Sequence, residues 1–233
     1  MSELRAMILA AGLGTRMRPL TEHLPKPLIS VAGKALIDWN LDWLAAGGIT
    51  QVVINSSYLA EKLEAHLAGR AGVTISREGS PPLETGGGVK QALPWLGSGP
   101  FLTMNSDAIL PASATHPVQA LQAQWDDTVD FLLLVVPRAR AIGWSGNGDF
   151  VIDDAGRVRR PAPGEDAPVI FTGVELMHPR VFADAPDGAF SLSRLWARGA
   201  EGWFPRVRAV LHDGPWLNVG DLDGLRVAED YFR

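Results

Sequence analysis

The sequence predicts an α/β protein built on a mostly parallel sheet with helices on both faces. Three observations predict it. An apolar run at residues 7–11 stops at Gly12, close to the chain start. Short β-branched runs then alternate with helix-period segments through the first half, and such strand–helix–strand crossovers cover both faces of a parallel sheet. Apolar residues make up 46 % and charged residues 20 % of the chain, the balance of a folded globular protein. Its 233 residues suit one sizeable core, so a single domain over 1–233 is expected.

In chain order, residues 7–11 (MILAA) read as a buried strand that ends in a glycine turn. Residues 35–48 (ALIDWNLDWLAAGG) carry Ile37, Leu41 and Leu44 at helical spacing and close on Gly47 and Gly48, a C-cap pattern. A β-branched strand follows at 51–56 (QVVINS). Residues 58–69 (YLAEKLEAHLAG) keep Leu59, Leu63 and Leu67 on one helical face, with Glu61, Lys62 and Glu64 elsewhere. Further strands are expected at 73–76, 101–104 and 131–136. Residues 149–161 read as a hairpin turning at Asp154, Ala155 and Gly156. A long strand at 169–179, a helix at 191–201, a strand at 207–212 and a final helix from about Asp221 complete the chain. No linker, repeat or low-complexity tract divides it, and both halves are expected to share one sheet.

A net charge of −5 provides no global basic field for nucleic acid or an anionic membrane, so any anion site must be local. The absence of cysteine excludes disulfides, thiol nucleophiles and Cys-zinc sites. The apolar start is too short for a signal segment, and no stretch approaches the roughly 18 apolar residues of a membrane span. A cytoplasmic protein is expected. The five histidines lack metal-ligand spacing and read as surface or capping residues, and Trp39 and Trp43 read as packing. Arg138, Arg140, Arg159 and Arg160 are dispersed among prolines and loops and read as solvated.

Four short stretches carry chemistry. In residues 10–18 (AAGLGTRMR), Gly12 and Gly14 let backbone N–H groups approach an anion, and Arg16 supplies charge at a strand end where open sheets bind ligands. A dinucleotide fingerprint fails here because position 17 is Met17, and the G-K-[ST] of a P-loop is absent. In 24–28 (LPKPL), Pro25 and Pro27 hold Lys26 in a stiff, non-helical segment. In 82–93 (PLETGGGVKQAL), three glycines open a helix, either as a cradle for base, ribose or phosphate or as a plain helix start. In 101–110 (FLTMNSDAIL), Asp107 follows a buried strand beside Asn105, as a Mg²⁺ ligand or as a turn residue.

Together these stretches (L-A-A-G-x-G-T-R-x-x-P-x-T from Leu9, then P-K-P, E-T-G-G-G and strand-N-x-D) resemble the sugar-1-phosphate nucleotidyltransferase family. The resemblance spans nearly the whole chain. It implies a Rossmann-like, GT-A-like three-layer α/β/α fold with a mostly parallel mixed sheet, a nucleotide-binding N-terminal half and a sugar-phosphate-binding C-terminal half. It also implies that an NTP and a sugar 1-phosphate give an NDP-sugar and pyrophosphate with Mg²⁺, in a monomer or small homo-oligomer. By that resemblance Arg16 and Lys26 are catalytic. Ala11, Gly12, Gly14, Thr15, Glu78, Thr85, Gly86, Gly87 and Asn105 surround the nucleotide, and Asp107 holds the metal.

Two departures from the family pattern stand out. Many members carry W-x-D-x-G-T near the C-terminus, with the Asp as second metal ligand. Here residues 216–221 read WLNVGD, so Asn218 or Asp221 takes that part. The E-K-P acceptor motif is missing, and Gly148 and Asp149 in 143–150 with Thr172 and Gly173 in 171–179 stand in for it. One of the dispersed arginines would then reach an acceptor carboxylate. Among family members the chain looks most like the bacterial N-acetylmuramate-1-phosphate uridylyltransferases of cell-wall (peptidoglycan) recycling. Mannose-1-phosphate guanylyltransferases come next, and a non-catalytic nucleotide-sugar sensor is the alternative from another class.

Overall fold

The computed structural model describes residues 3–198 and 202–233. Among the described residues seven strands make the central sheet: β1 (Ala6–Leu9), β2 (Val52–Ser56), β3 (Val73–Arg77), β4 (Phe101–Asn105), β5 (Phe131–Pro137), β6 (Val169–Met177) and β7 (Val207–Leu211). Their spatial order is β7-β5-β6-β4-β1-β2-β3, so strands from both halves of the chain share the sheet. All neighbours run parallel except β6, which is antiparallel to both β4 and β5. The mostly parallel mixed sheet expected from the alternating pattern is present.

Among the described residues six α-helices accompany it: α1 (Leu36–Ala46), α2 (Ala60–Leu67), α3 (Glu84–Leu96), α4 (Pro117–Gln124), α5 (Ser193–Trp196) and α6 (Leu222–Tyr231). The period of two along each strand sends alternate side chains to opposite faces. Ala6 and Ile8 enter one core with Ile37 and Leu44 of α1, Leu63 of α2 and Leu121 of α4. Met7 enters the other, with Val89 and Leu96 of α3 and Leu195 of α5. β1 is therefore apolar on both sides, which explains its unbroken hydrophobic run. The expected helix at 191–201 forms over Ser193–Trp196, and residues 199–201 lie outside the described residues.

A third, smaller core packs Met17, Ile29, Val31, Leu217, Val219 and Ala228 together beneath α6. It returns the end of the chain to the loop that follows β1. A short ladder finishes the job: Ala108–Ile109 pairs antiparallel with Trp216–Asn218, with Asn218 opposite Ala108, and Val219 N donates to the Asp107 carbonyl at 2.9 Å.

Local expectations are largely met, except that His212 is buried rather than a surface or capping residue. Val151–Ile152 and Val158–Arg159 form the expected hairpin, whose turn is held by Asp153 Oδ1 accepting from Arg157 N at 2.8 Å. Trp39 stacks on Phe232 and Trp43 on His116, so both tryptophans are packing residues. His116 and His178 cap helical turns by accepting from Val118 N and Arg180 N. Arg138 and Arg159 are paired with Asp166 and Glu165, and Arg160 lies over the Phe150 ring. One detail differs: Lys26 opens a single 3₁₀ turn, Lys26–Leu28, rather than a non-helical segment. Pro27 sits in the first turn, where the missing N–H costs nothing. Among the described residues no helix is long and apolar enough to cross a membrane.

Candidate active site

β1 and β4 are parallel neighbours, so their carboxyl ends reach the same sheet edge. That places the loop after β1 beside Asn105 and Asp107, in the crevice position where open α/β sheets bind ligands. The crevice is a cleft of about 450 Å³ lined by Ala11, Gly12, Gly14, Thr15 and Arg16, by Lys26, by Asn105 and Asp107, by Thr85 and by Gly220. Residues that stand far apart in the chain meet here.

The two loop glycines stand in different settings. Gly14 adopts φ +62°, and a Cβ there would lie 2.9 Å from Thr21 Cγ2, whose hydroxyl donates to the Gly14 carbonyl at 2.8 Å. A Cβ on Gly12 would meet no protein atom within 4 Å. The space beside position 12 opens into the cleft that Gly12 lines.

Charge converges around Gly220. Lys26 Nζ donates to Asp107 Oδ2 at 2.6 Å and approaches the Gly220 carbonyl at 3.4 Å. Both partners are mostly shielded from solvent, with side chains 11 % and 24 % exposed. A Cβ on Gly220 would lie 3.0 Å from Asn218 Nδ2 and 3.3 Å from Arg16 Nη1, so Arg16 and Asn218 close on the same point. Arg16 itself is exposed and has no ion pair among the described residues. Arg16 and Lys26 share the cleft with two carboxylates, Asp107 and Glu84; Lys26 is engaged by Asp107, which leaves the Arg16 guanidinium as the cation open to an anionic ligand.

Of the remaining nucleotide-side residues, Thr85 lines the cleft and Glu78, Gly86 and Gly87 lie outside its lining. Glu78 is buried and accepts from Asn55 Nδ2 and Leu83 N, both at 2.7 Å, outside the cleft lining. The Gly86 and Gly87 N–H groups donate to the Phe190 carbonyl at 2.8 and 3.3 Å, which engages the amides a ligand cradle would need. Added Cβ atoms there would run into the Phe190 ring and the Gly188 carbonyl, so these glycines permit close packing of α3. Thr85 lines the cleft while its hydroxyl accepts from Leu192 N at 2.8 Å.

On the acceptor side, β6 shifts register between Phe171 and Glu175, and Gly173 sits in this bulge at φ +83°. A Cβ on Gly173 would be 2.7 Å from Asn105 Nδ2, so the bulge abuts the cleft through Asn105. Thr172 is buried, donating to the Leu134 carbonyl at 2.9 Å. Asp149 Oδ2 accepts from Phe171 N at 2.9 Å, and burial raises its carboxyl above the ordinary value against the pull of that N–H and of Arg160. Gly148 packs against the Ala167 carbonyl. Asp221 caps α6, its Oδ1 accepting from Gly224 N at 2.9 Å, so its carboxylate serves the helix end. Cleft residues that the sequence reading gave no role include Asn55, Glu84, Ser106 and Gly220. Asn55 had a usable signal, because it stands near the end of a β-branched run as Asn105 stands at the end of β4.

Residues 5–160 match the profile of the nucleotidyl transferase family, about two thirds of the chain. The chain belongs to the nucleotidyl transferase family. As a nucleotidyl transferase it is an enzyme, and the cleft at the β1–β4 edge is its candidate active site. It is 44 % identical, over 96 % of its length and 95 % of the relative's, to the N-acetylmuramate alpha-1-phosphate uridylyltransferase of Caulobacter vibrioides. It is 38 % identical to the protein of the same name from Neisseria meningitidis, over 97 % of both chains. Among solved structures, HddC from Yersinia pseudotuberculosis, complexed with GMP-PN, shares the fold. The TM-score is 0.77 at 20 % identity, over 99 % of this chain and 100 % of that one.

Proposed function

We propose that this nucleotidyl transferase moves the uridylyl group of UTP to N-acetylmuramate 1-phosphate, releasing pyrophosphate. It would act with Mg²⁺ in the cytoplasm, as a monomer or small homo-oligomer, in the recycling of cell-wall sugar. The observation that carries the reading is the pair of relatives named for that activity, matched over nearly their whole length at 44 % and 38 % identity. The residue chemistry supports it. An oxygen of the acceptor phosphate attacks the α-phosphorus of UTP, the new P–O bond forms, and the bond to the β-phosphate oxygen breaks with pyrophosphate as leaving group. Such a displacement needs no protein nucleophile; it needs two anions aligned and their charge offset.

In this reading Arg16 holds the departing β- and γ-phosphates by charge-assisted hydrogen bonds. Lys26, braced in its 3₁₀ turn, neutralises the α-phosphate and the incoming phosphate where they meet. The donor set suits Mg²⁺, which takes one or two carboxylates and leaves its other positions to phosphates and water. The Asp107 carboxylate and the neighbouring Asn218 amide oxygen would hold it, and it would supply charge neutralisation and a template for the phosphates. Asn218 offers no charge of its own, so Asp107 carries the protein's whole anionic contribution to that position.

A pyrophosphate-release assay over a matrix of UTP, GTP, CTP, dTTP and ATP with the 1-phosphates of N-acetylmuramate, N-acetylglucosamine, mannose and glucose tests this. The highest kcat/KM is expected for UTP with N-acetylmuramate 1-phosphate. A preference for GTP with mannose 1-phosphate would replace the reading by guanylyl transfer. Tight nucleotide binding without turnover of any pair would replace it by the sensor.

A further inference from the structure

We infer that Asn55 and Glu78 are positioning residues: a buried hydrogen-bond relay through their side chains locks the loop after β1 to the turn that opens α3. Ala10 N donates to Asn55 Oδ1 at 2.6 Å, Asn55 Nδ2 donates to Glu78 Oε1 at 2.7 Å, and Leu83 N donates to Glu78 Oε2 at 2.7 Å. Ala10 leads into Gly12 and Arg16, while Leu83 leads into Glu84 and Thr85. Both of these segments line the cleft. The relay therefore spans from the phosphate side to the opposite rim and sets the distance between them.

Three features make it a specific device rather than incidental pairing. First, its side chains are buried: Asn55 and Glu78 are 3 % and 6 % exposed, and Ala10 is 4 % exposed. A partner lost in that setting leaves a buried polar group whose desolvation is no longer offset. Second, its polarity is determined at both ends. The outer groups are backbone donors, so each side chain must accept outward, and only one of the two can donate across the middle. Asn55 does so, and Glu78 accepts on both oxygens. Third, the chain makes room for it. A Cβ on Gly88 would fall 2.5 Å from Glu78 Oε1 and 2.9 Å from Asn55 Nδ2. The last glycine of the E-T-G-G-G run is thus part of the relay's housing. Glu78 is held in turn by its own N–H, which donates to the Ser56 carbonyl at 2.8 Å.

The relay's consequence for nucleotide binding rests on the uridylyl-transfer reading, whereas its existence does not. Asn55→Asp sets two acceptors face to face, and Glu78→Gln leaves an amide N–H opposing another N–H. The double variant reverses the middle bond and satisfies every group again: the new carboxylate at 55 accepts from Ala10 N and from the new amide at 78, whose oxygen accepts from Leu83 N. Shape and net charge are unchanged in the swap.

The test measures amide hydrogen exchange at Ala10 and Leu83, and steady-state kinetics, in the wild type, both single variants and the double variant. Each single variant is expected to lose protection at both amides, including the one it does not contact. Each is also expected to raise KM for UTP by about tenfold or more, with KM for the acceptor within about twofold. The double variant should recover both properties to within about threefold. Undisturbed protection at the distant amide, or a double variant no better than the singles, would overturn the relay. If a single variant fails to fold, recovery of folding in the double decides in favour, and failure of the isosteric double decides against. A wild type that turns over no uridine pair would refute the uridylyl reading alone, since exchange at the two amides still decides the relay.

Discussion

Glu175 is a carboxyl in the middle of the sheet, and replacing it by Gln should make the protein more stable at neutral pH. On β6 it stands between Thr103 of β4 and Leu133 of β5, is 2 % exposed, and accepts from Trp196 Nε1 at 2.9 Å. No cation pairs with it among the described residues. Burial raises its pKa from the ordinary 4.5 to about 8, with the Trp196 and Thr103 hydrogen bonds pulling the other way. An acid whose folded pKa lies above its unfolded one binds more protons when folded. Stability therefore falls as pH rises through the window from 4.5 to about 8.

Each pH unit in that window is worth about 1.4 kcal/mol, so by pH 7 the wild type has lost about 3 kcal/mol relative to its acid limit. Gln is neutral in both states and reproduces the protonated acid, an oxygen for Trp196 Nε1 and a donor for Thr103. Urea unfolding of both proteins at half-unit steps from pH 5 to 8 isolates the effect, because the titrations of all other groups cancel in the difference. The variant should match the wild type near pH 5 and exceed it by about 3 kcal/mol at pH 7. A difference that stays constant across this range would refute the buried proton on Glu175.

Arg16→Ala should lower kcat/KM by at least about tenfold, a barrier rise of about 1.4 kcal/mol, while unfolding stability moves by less than about 0.5 kcal/mol, because the exposed guanidinium has no ion pair among the described residues. Wild-type kinetics would remove Arg16 from the phosphate site. Gly87→Ala drives a Cβ into the Gly188 carbonyl and should cost about 1–3 kcal/mol in thermal unfolding, the range of an overpacked contact; an unchanged melting curve would show that the 186–190 segment yields freely. Asp221→Ala should cost about 1 kcal/mol of stability through the lost α6 cap and leave the Mg²⁺ concentration for half-maximal activity unaltered. A large rise in that concentration would make Asp221 a metal ligand after all, and Asn218→Ala serves as the comparison.

Much of this molecule was legible from local pattern. The unbroken apolar run of β1, the period of α1 and α2 and the hairpin at 149–161 are short-range signals, and each element formed where its own residues dictated. Asp107 and Lys26 were legible as candidates for the same reason: a carboxylate two residues beyond a strand and a lysine between two prolines are visible within a few positions. Their pairing was not. Lys26 and Asp107 are 81 residues apart, and Lys26 and Gly220 are 194 apart. Only the parallel register of β1 and β4, together with the core beneath α6, brings them to one point.

The E-T-G-G-G run shows most clearly where local reading stops. Three glycines at a helix start permit either close approach of a ligand or close approach of protein, because a missing Cβ removes the same bulk in both cases. Phe190, Gly188 and the pair Asn55–Glu78 decide it, one neighbour for each glycine, and none of them lies within eight residues of the glycine it meets. Glu78 likewise changes meaning with depth: an acid near a nucleotide in the sequence becomes a buried acceptor holding two elements together. Periodicity and punctuation specify which segments form and which side chains stand at their ends. What fills the space beyond each side chain is set by packing among distant segments, and at this cleft that packing assigns Asp221 to a helix cap, Glu78 to a brace and the Gly220 neighbourhood to the gathered charges.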